Sequence, residues 1–275
     1  ASGDGSLQYA QGEWSAAGGV AIENGSYRGE LFDRVRARVR LEHGVLRLAG
    51  AEARRAGARA SAEGTVDLGA RQMDLKVGIR SVPIESVPAV RDRRLPVRGL
   101  LSSEGALTGS FHDPSYSGSV ALSALRYGSW DLGSGGGAVE FRSGTAKGTI
   151  RIQSPYGALS ARGQMSAGAG NPGSVGLEFE KLDLRKIAGA KIPPYLKDVS
   201  TALRGKVDIE GRFDDPASLR MRGEVDGATF KVQDYELHNA GRLQFSVLNK
   251  ILRIESVRFV GDGTDLVLSG RVPLE

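Results

Sequence analysis

Apolar and charged residues alternate along most of this chain. In residues 31–41, Val35, Ala37, Val39 and Leu41 are separated by arginines. Alternation with a period of two places successive side chains on opposite faces of a β-strand, whereas a helix needs apolar residues three and four positions apart. The pattern therefore predicts strands that each have one aliphatic face and one charged face.

The alternation begins at Gly19, after a polar segment of small residues, and indicates about 15 strands. Prolines interrupt it twice. The first interruption predicts a helical turn over residues 84–91. In the second, Asp183 is a candidate N-cap for a short helix over 184–188, with a further turn over 195–199. The expected fold class is all-β with two short connecting helices.

A glycine-rich segment occupies residues 133–137. It lacks the Lys-Ser/Thr pair and the following helix of a phosphate-binding loop. We interpret it as a flexible loop.

A short motif recurs at long spacing. Residues 211–216 read Gly-Arg-Phe-Asp-Asp-Pro, residues 109–114 read Gly-Ser-Phe-His-Asp-Pro, and a worn copy begins at Gly12. The spacings of 97 and 102 residues indicate a repeat of roughly 100 residues. We therefore predict three units, 1–108 (degenerate), 109–210 and 211–275 (truncated), which together form one continuous module of a longer protein.

The aliphatic faces of the strands add up to a continuous apolar surface. Burying such surface contributes roughly 25 cal/mol per Å², so it needs a cover. Two short helices are too few, and the long repeat favours an array that extends along one axis. We predict an elongated, curled sheet, a taco-like repeating β-groove. Small residues at 58–64 would leave space inside it, or would simply pack at a tight bend.

Such a groove suits acyl chains, because they need apolar width and no fixed polar partners. The candidate groove-lining residues are the apolar members of the alternating runs: Val35, Val39, Leu41, Leu46, Leu48, Ala60, Val66, Leu75, Val77, Val120, Leu122, Ile150, Ile152, Leu159, Leu177, Phe179, Val207, Ile209, Met221, Val225, Leu243, Phe245, Leu252, Ile254, Leu266 and Leu268.

Composition changes this picture little. The net charge is +5, from 37 basic and 32 acidic residues, and aromatic residues make up only 6% of the chain. Because the basic residues alternate with apolar ones and are not interleaved with aromatics, they indicate a solvated sheet face rather than a nucleic-acid surface. No apolar run approaches the roughly 20 residues of a membrane-spanning helix.

Candidate chemistry is scarce. His43, His112 and His238 are far apart in sequence and the chain has no cysteine, so we expect no metal site and no cofactor. The acidic pair Asp214 and Asp215 precedes a proline, and the copy of the motif has His112 where Asp214 stands. That substitution favours a turn over a catalytic pair. The expected protein is not an enzyme.

The repeat unit resembles those of the AsmA-like superfamily, and its TamB branch most of all. Residues 203–216 followed by 221–225 follow the order strand, Gly, any residue, aromatic, any residue, Asp-Pro, then a Gly that opens the next strand. The strand at 266–272, matched at 159–165, is similar to the strand ends of those repeats. Residues 182–187 resemble their crossing segment.

The resemblance implies a segment of a bridge-like lipid transport protein that spans the periplasm of a diderm bacterium. Such a protein shields phospholipid acyl chains between the inner and outer membranes and supports outer-membrane assembly. The resemblance further implies an inner-membrane anchor elsewhere in the full-length protein and an outer-membrane barrel of the Omp85 type as partner. Nucleic acid is not an expected partner.

Two other classes of protein compete with this interpretation. A structural or adhesive β-solenoid would have a packed core and no ligand, but its rungs are roughly 20 residues long, and the repeat here is about five times longer. A transmembrane barrel needs aromatic girdles and a lipid-facing exterior, which the arginine-rich faces and scarce aromatics disfavour.

Overall fold

The computed structural model describes residues 2–10, 13–27, 30–92, 94–167, 170–183, 186, 199–213, 215, 218–232, 235–261 and 263–273. The fold is all-β, with one antiparallel sheet of eighteen strands. The strands are β1 Ser2–Ala10, β2 Glu13–Tyr27, β3 Glu30–Glu42, β4 Val45–Arg55, β5 Ala58–Asp67, β6 Gln72–Pro83, β7 Val97–Ser110, β8 Pro114–Tyr127, β9 Trp130–Arg142, β10 Thr145–Ser154, β11 Gly157–Ser166, β12 Pro172–Leu182, β13 Val199–Arg212, β14 Arg220–Val232, β15 Tyr235–Asn239, β16 Leu243–Leu248, β17 Ile251–Gly261 and β18 Thr264–Pro273.

Almost every strand pairs with its neighbours in the chain. This follows from the short connections, because a tight turn can join only antiparallel neighbours. The exception is at β14, which pairs with β15 over its last residues and with β16 over its first. Both short strands then pair with β17. Together β15 and β16 therefore fill one position in the sheet.

The chain forms two compact units. Unit 1 comprises Ala1–Gly128 and Gly136–Gly144, and unit 2 comprises Ser129–Gly135 and Thr145–Glu275. The division into three repeat units remains a prediction.

The structure contains more strands than the roughly 15 predicted, and it extends the sheet to the beginning of the chain. β1 and the first half of β2 lie where small polar residues gave no alternation, and their pairing runs from Ser2 opposite Ala21 to Ala10 opposite Glu13. Small residues are compatible with a strand when a neighbouring backbone supplies the hydrogen bonds, so the sequence signal was too weak to show it.

The loop predicted at residues 133–137 is wrong, because these residues lie inside β9. Within unit 2, a Cβ added to Gly133 would lie 2.1 Å from the carbonyl oxygen of Gln153, and one added to Gly135 would lie 2.2 Å from that of Arg151. The glycines allow a close approach of two backbones, which is a recognised role of glycine within a strand.

Bulges interrupt alternate strands in both units. In unit 1 an extra residue occurs in β4, β6 and β8, and in unit 2 in β12, β14 and β17. In β6 the bulged Ser81 has φ +54° and its N–H donates to Ser102 Oγ at 3.1 Å. A bulge bends the strand and increases its twist. It also shifts the alternation by one residue, as the sequence shows in β17, where Leu252 and Ile254 are followed by Val257 and Phe259.

The two short connecting helices are not confirmed. Between β6 and β7 the chain makes a 3-10 turn, Ile84–Ser86, and one turn of α-helix, α1 Pro88–Arg91. The second predicted helical segment, over 184–188 and 195–199, lies almost entirely outside the described residues. In the part of the chain that the structure describes, no helix exceeds a single turn.

The turn interpretation of the repeated motif is confirmed at its second copy. Gly109 lies opposite Pro114 at the end of the β7–β8 hairpin, and the Asp113 N–H donates to Ser110 Oγ at 3.0 Å. At the third copy, between β13 and β14, the Asp215 N–H donates to the Arg212 carbonyl oxygen at 3.1 Å. Asp214 and Pro216 lie outside the described residues.

Candidate functional site

The register of unit 1 brings the candidate lining residues of this unit to one face of the sheet. Directly opposed residues of antiparallel strands point to the same face. Val39 is opposite Leu48, Leu41 is opposite Leu46, and Leu46 is opposite Val66. The same row as Val39 and Leu48 continues through Gly64 to Leu75. We call this surface the apolar face.

The remaining candidates of unit 1 follow from the same register. Val35 lies four residues before Val39 on β3 and is opposite Ala53. Ala60 is opposite Ala53 and Ile79, and Val77 is opposite Ala62. On β8, Val120 is opposite Ser103 and Leu122 is opposite Leu101. All eleven candidates of unit 1 therefore share the apolar face.

Unit 2 has an apolar face of its own, built in the same way. The opposed pairs are Ile150 with Ala161, Ile152 with Leu159, Leu159 with Phe179, Ala161 with Leu177, Leu177 with Val207, Ile209 with Met221, Val225 with Leu243, Phe245 with Ile254, Leu252 with Val272, Val257 with Leu268, and Phe259 with Leu266. All fifteen candidates of this unit lie on it.

Most of these side chains are neither buried nor fully exposed. Of the 26 candidates, 22 are half-buried, Val225 is buried, and Ala60, Leu266 and Leu268 are exposed. Half-burial is what neighbouring side chains of one sheet give each other when no second layer covers them. The described residues contain no second sheet and no long helix to serve as that layer.

The whole chain exposes an unusually large area. Its accessible surface is 18321 Å² for a mass of 29.1 kDa. A compact monomer of that mass exposes about 11,400 Å². Among the described residues only seven apolar side chains are buried. Much of the apolar face is therefore in contact with solvent unless something else binds to it.

Unit 2 departs from this pattern at one place, which the sequence did not reveal. Leu203, Val225, Ala228, Val257 and Phe259 form a buried cluster, with Phe179, Leu182, Phe230, Leu243, Phe245 and Ile254 packed against it. The rings of Phe230 and Phe259 meet edge to face, with centroids 5.4 Å apart. Five of the candidate lining residues thus take part in packing within unit 2. We call this group the phenylalanine cluster.

Two glycines on the apolar face leave space that the aromatic side chains of neighbouring residues occupy. A Cβ added to Gly223 would lie 2.0 Å from Cζ of Phe245, which is directly opposite it. In unit 1, a Cβ at Gly118 would lie 2.5 Å from the hydroxyl oxygen of Tyr116, whose hydroxyl also contacts Ser103 Oγ at 2.6 Å. A ring that covers a glycine projects less above the sheet than one that stands upright.

The opposite face is charged and carries ion pairs that are accessible to solvent. In unit 1, Arg34 donates to Glu23, and Glu52 accepts from both Arg54 and Arg59. The hydrogen bond from Arg34 lowers the pKa of Glu23 below the ordinary value of a glutamate, and the hydrogen bond from Arg54 does the same for Glu52. In water, pairs of this kind contribute little to stability each.

Unit 2 has an ion-pair network around Glu224 on its charged face, which extends from Arg242 to Asp226. Glu224 Oε2 lies 3.2 Å from Lys206 Nζ, and Glu224 Oε1 lies 2.7 Å from Arg242 Nη1. The hydrogen bond from Lys206 and the charge of Arg242 lower the pKa of Glu224. The carboxylate is therefore favoured in the folded state over the unfolded one.

Replacing Glu224 by glutamine should lower the melting temperature at neutral pH by about 2 to 5 °C. Since the folded pKa is depressed, the stabilisation is present above the unfolded pKa of about 4.3 and is lost as the pH falls through the folded pKa. Thermal scans should therefore show a larger difference from the wild type at pH 7 than at pH 3. Glu210→Gln, at an exposed position without an ion pair among the described residues, is the control. Equal shifts for the two variants would contradict this role of Glu224.

The described residues show no group of three or more side chains that could hold a metal ion. His43 and His112 lie in different turns and His238 lies in β15. Nor does any described helix have the length and hydrophobicity needed to cross a membrane.

Comparison with known proteins gives no relative. No protein-family model, no curated protein and no solved structure matches the chain.

Proposed function

We propose that the chain is a segment of a bridge-like lipid transport protein, and that its apolar face shields the acyl chains of phospholipids. The observation that carries this proposal is the single face shared by all candidate residues in each unit, most of them half-buried. An unpartnered aliphatic surface of this extent calls for an apolar ligand, because leaving it in water forgoes roughly 25 cal/mol per Å².

Acyl chains fit this surface better than a compact ligand does. The apolar face carries few polar groups, such as the hydrogen-bonded hydroxyls of Ser103 and Tyr116. A site for a polar small molecule would instead present several converging donors and acceptors. A face that runs over many strands without such groups favours a long apolar ligand that can slide.

In this proposal the sheet curls its apolar face inward to form an elongated, taco-like groove. Two features support the curl. The bulges in alternate strands increase bend and twist. The small residues Ala51, Ala53, Ala60 and Ala62, which lie opposite one another in β4 and β5, let the sheet bend without collision.

The wider setting rests on the resemblance to the AsmA-like superfamily and to TamB. It comprises the periplasm of a diderm bacterium, an inner-membrane anchor elsewhere in the full-length protein, an outer-membrane Omp85-type barrel as partner, and a contribution to outer-membrane assembly. The chain acts in this setting as a passage and not as an enzyme.

A packed adhesive solenoid is the alternative that the phenylalanine cluster favours, since the cluster is a small closed core in unit 2. Against this alternative, β-helices stack parallel rungs. The strands here are antiparallel and pair mainly with their chain neighbours.

Photo-crosslinking can test which face carries lipid. A benzophenone amino acid placed at Leu75 or Val77 lies on the apolar face, and one placed at Asp74 or Lys76 lies on the charged face of the same strand. We expect strong crosslinks to phospholipid from the first pair and background crosslinks from the second. Equal yields of lipid crosslink from adjacent positions would contradict the proposal. All four positions lie on β6, so they differ only in the face to which the side chain points.

A further inference from the structure

Arginines of β3 to β8 form a row across the charged face of unit 1. Arg34 is directly opposite Arg54, Arg54 is opposite Arg59, and Arg59 is opposite Arg80. Arg98 is opposite Arg126 at the same end of the strands, but this pair lies several residues beyond the level of Arg80, because Pro83 is opposite Leu100. We call these six residues the arginine row. Adjacent strands are about 4.8 Å apart, so like charges stand side by side, an arrangement that destabilises a sheet.

Carboxylates neutralise only the arginines that β3, β4 and β5 contribute to the arginine row. Glu23 pairs with Arg34, and Glu52 pairs with Arg54 and Arg59. Arg80, Arg98 and Arg126 have no ion pair among the described residues. Repulsion within the row is therefore left for an external anion to relieve.

The two ends of the strands in unit 1 differ in charge. The end that holds the arginine row carries ten arginines and five carboxylates, a net charge of +5, over residues 23, 31–36, 52–60, 79–92, 94–101 and 122–128. The opposite end carries four arginines and four carboxylates, a net charge of zero, over residues 40–47, 66–74, 107–116 and 141–144. The basic residues are thus concentrated at one end and not spread over a solvated face.

Exposed apolar side chains accompany the arginines at that end. Leu31 is 66% exposed, Tyr127 is 47% exposed and Leu95 is 44% exposed. Arginines next to exposed leucine and tyrosine are typical of proteins that sit on a membrane surface, where the apolar groups enter the interface and the cations meet lipid phosphates. Single-stranded nucleic acid would need a series of stacking aromatics, whereas Tyr127 stands alone.

We propose that this end of unit 1 docks on the surface of a bilayer that contains anionic phospholipids. The arginine row contacts the lipid phosphates, and Leu31, Leu95 and Tyr127 insert at the level of the headgroups. The arginines project from the charged face, whereas Leu31 and Tyr127 lie at the same strand end on the apolar face. The electrostatic part of this docking therefore does not depend on lipid in the proposed groove. A chain that carries no lipid on its apolar face could still dock in this way.

Co-sedimentation with vesicles tests the docking. Vesicles of phosphatidylcholine with about one third phosphatidylglycerol are compared with vesicles of phosphatidylcholine alone. We expect the wild-type chain to bind only the anionic vesicles, and to be released by salt because the contact is electrostatic. Equal binding to both kinds of vesicle, or to neither, would overturn the proposal.

A charge-matched pair of variants locates the surface. Arg80→Glu, Arg98→Glu and Arg126→Glu together should lower the partition coefficient at least about tenfold. Arg38→Glu, Arg47→Glu and Arg142→Glu change the net charge equally at exposed positions without described ion pairs, and should lower it less than about threefold. Equal losses would show that only net charge matters and would refute a specific surface.

Two further measurements keep the result interpretable. If circular dichroism shows that a triple glutamate variant is misfolded, triple glutamine variants replace both. Their losses of vesicle binding should be smaller, and the loss at Arg80, Arg98 and Arg126 should again be the larger one. A labelled single-stranded oligonucleotide tests the nucleic-acid alternative. Tighter binding to the oligonucleotide than to anionic vesicles, at equal phosphate concentration, would overturn the membrane assignment.

Discussion

Replacing Phe259 by alanine is expected to destabilise unit 2 by about 3–5 kcal/mol. Phe259 is only 6% exposed and lies at the centre of the phenylalanine cluster, edge-on to Phe230. Removing its ring leaves a cavity that Leu203 and Val257 line, and a sheet paired on both sides cannot collapse into it. For a unit of this size, the loss corresponds to a fall of roughly 6 to 20 °C in melting temperature.

The matched control is Leu266→Ala. Leu266 lies directly opposite Phe259 on β18 but is 41% exposed. Its truncation should lower the melting temperature by no more than a few degrees, since a half-exposed side chain loses little buried area. If both variants unfolded at the same temperature, the cluster would not be the core of unit 2.

The second large effect concerns lipid occupancy. Replacing Val39 and Leu75 together by aspartate should lower the phospholipid bound by the purified chain at least about tenfold. Both side chains are half-buried and belong to one row of the apolar face. In the proposed groove a carboxylate stays hydrated while no lipid is bound, but it loses its water when acyl chains cover it.

Arg36→Asp with Arg38→Asp is the control for this pair. Both arginines lie on β3 beside Val39 but on the charged face, opposite Ala21 and Gly19. Native mass spectrometry of the two double variants should show nearly wild-type lipid in the control alone. A similar loss of lipid from both would indicate general damage to the sheet and not an obstructed apolar path.

The faces of the sheet could be predicted from sequence because alternation survives wherever a strand has one apolar side. Val35 to Leu41 of β3 is the best example. A bulge is also visible in the sequence. Ile254 and Val257 share a face but are three residues apart instead of two, because β17 has one extra residue between them. The residues 133–137 could not be assigned in this way, because glycine has no side chain to alternate and its strand depends on the backbones beside it.

Register was beyond the reach of the sequence. The arginines at 34, 54, 59 and 80 look like ordinary exposed residues of four separate strands, and only the pairing places them side by side. The phenylalanine cluster could not be predicted for the same reason. Phe230 in β14 and Phe259 in β17 are separated by the sheet position that β15 and β16 fill. Contacts between distant residues depend on pairing and curvature, which a period of two does not encode.

Native mass spectrometry of the wild-type chain, purified without detergent exchange, tests directly whether the apolar face carries phospholipid. We predict chain ions that carry several phospholipids each, released on collisional activation and identified by their mass. A chain that appears only at its own mass, and that takes up no phospholipid when mixed with vesicles, would contradict the claim.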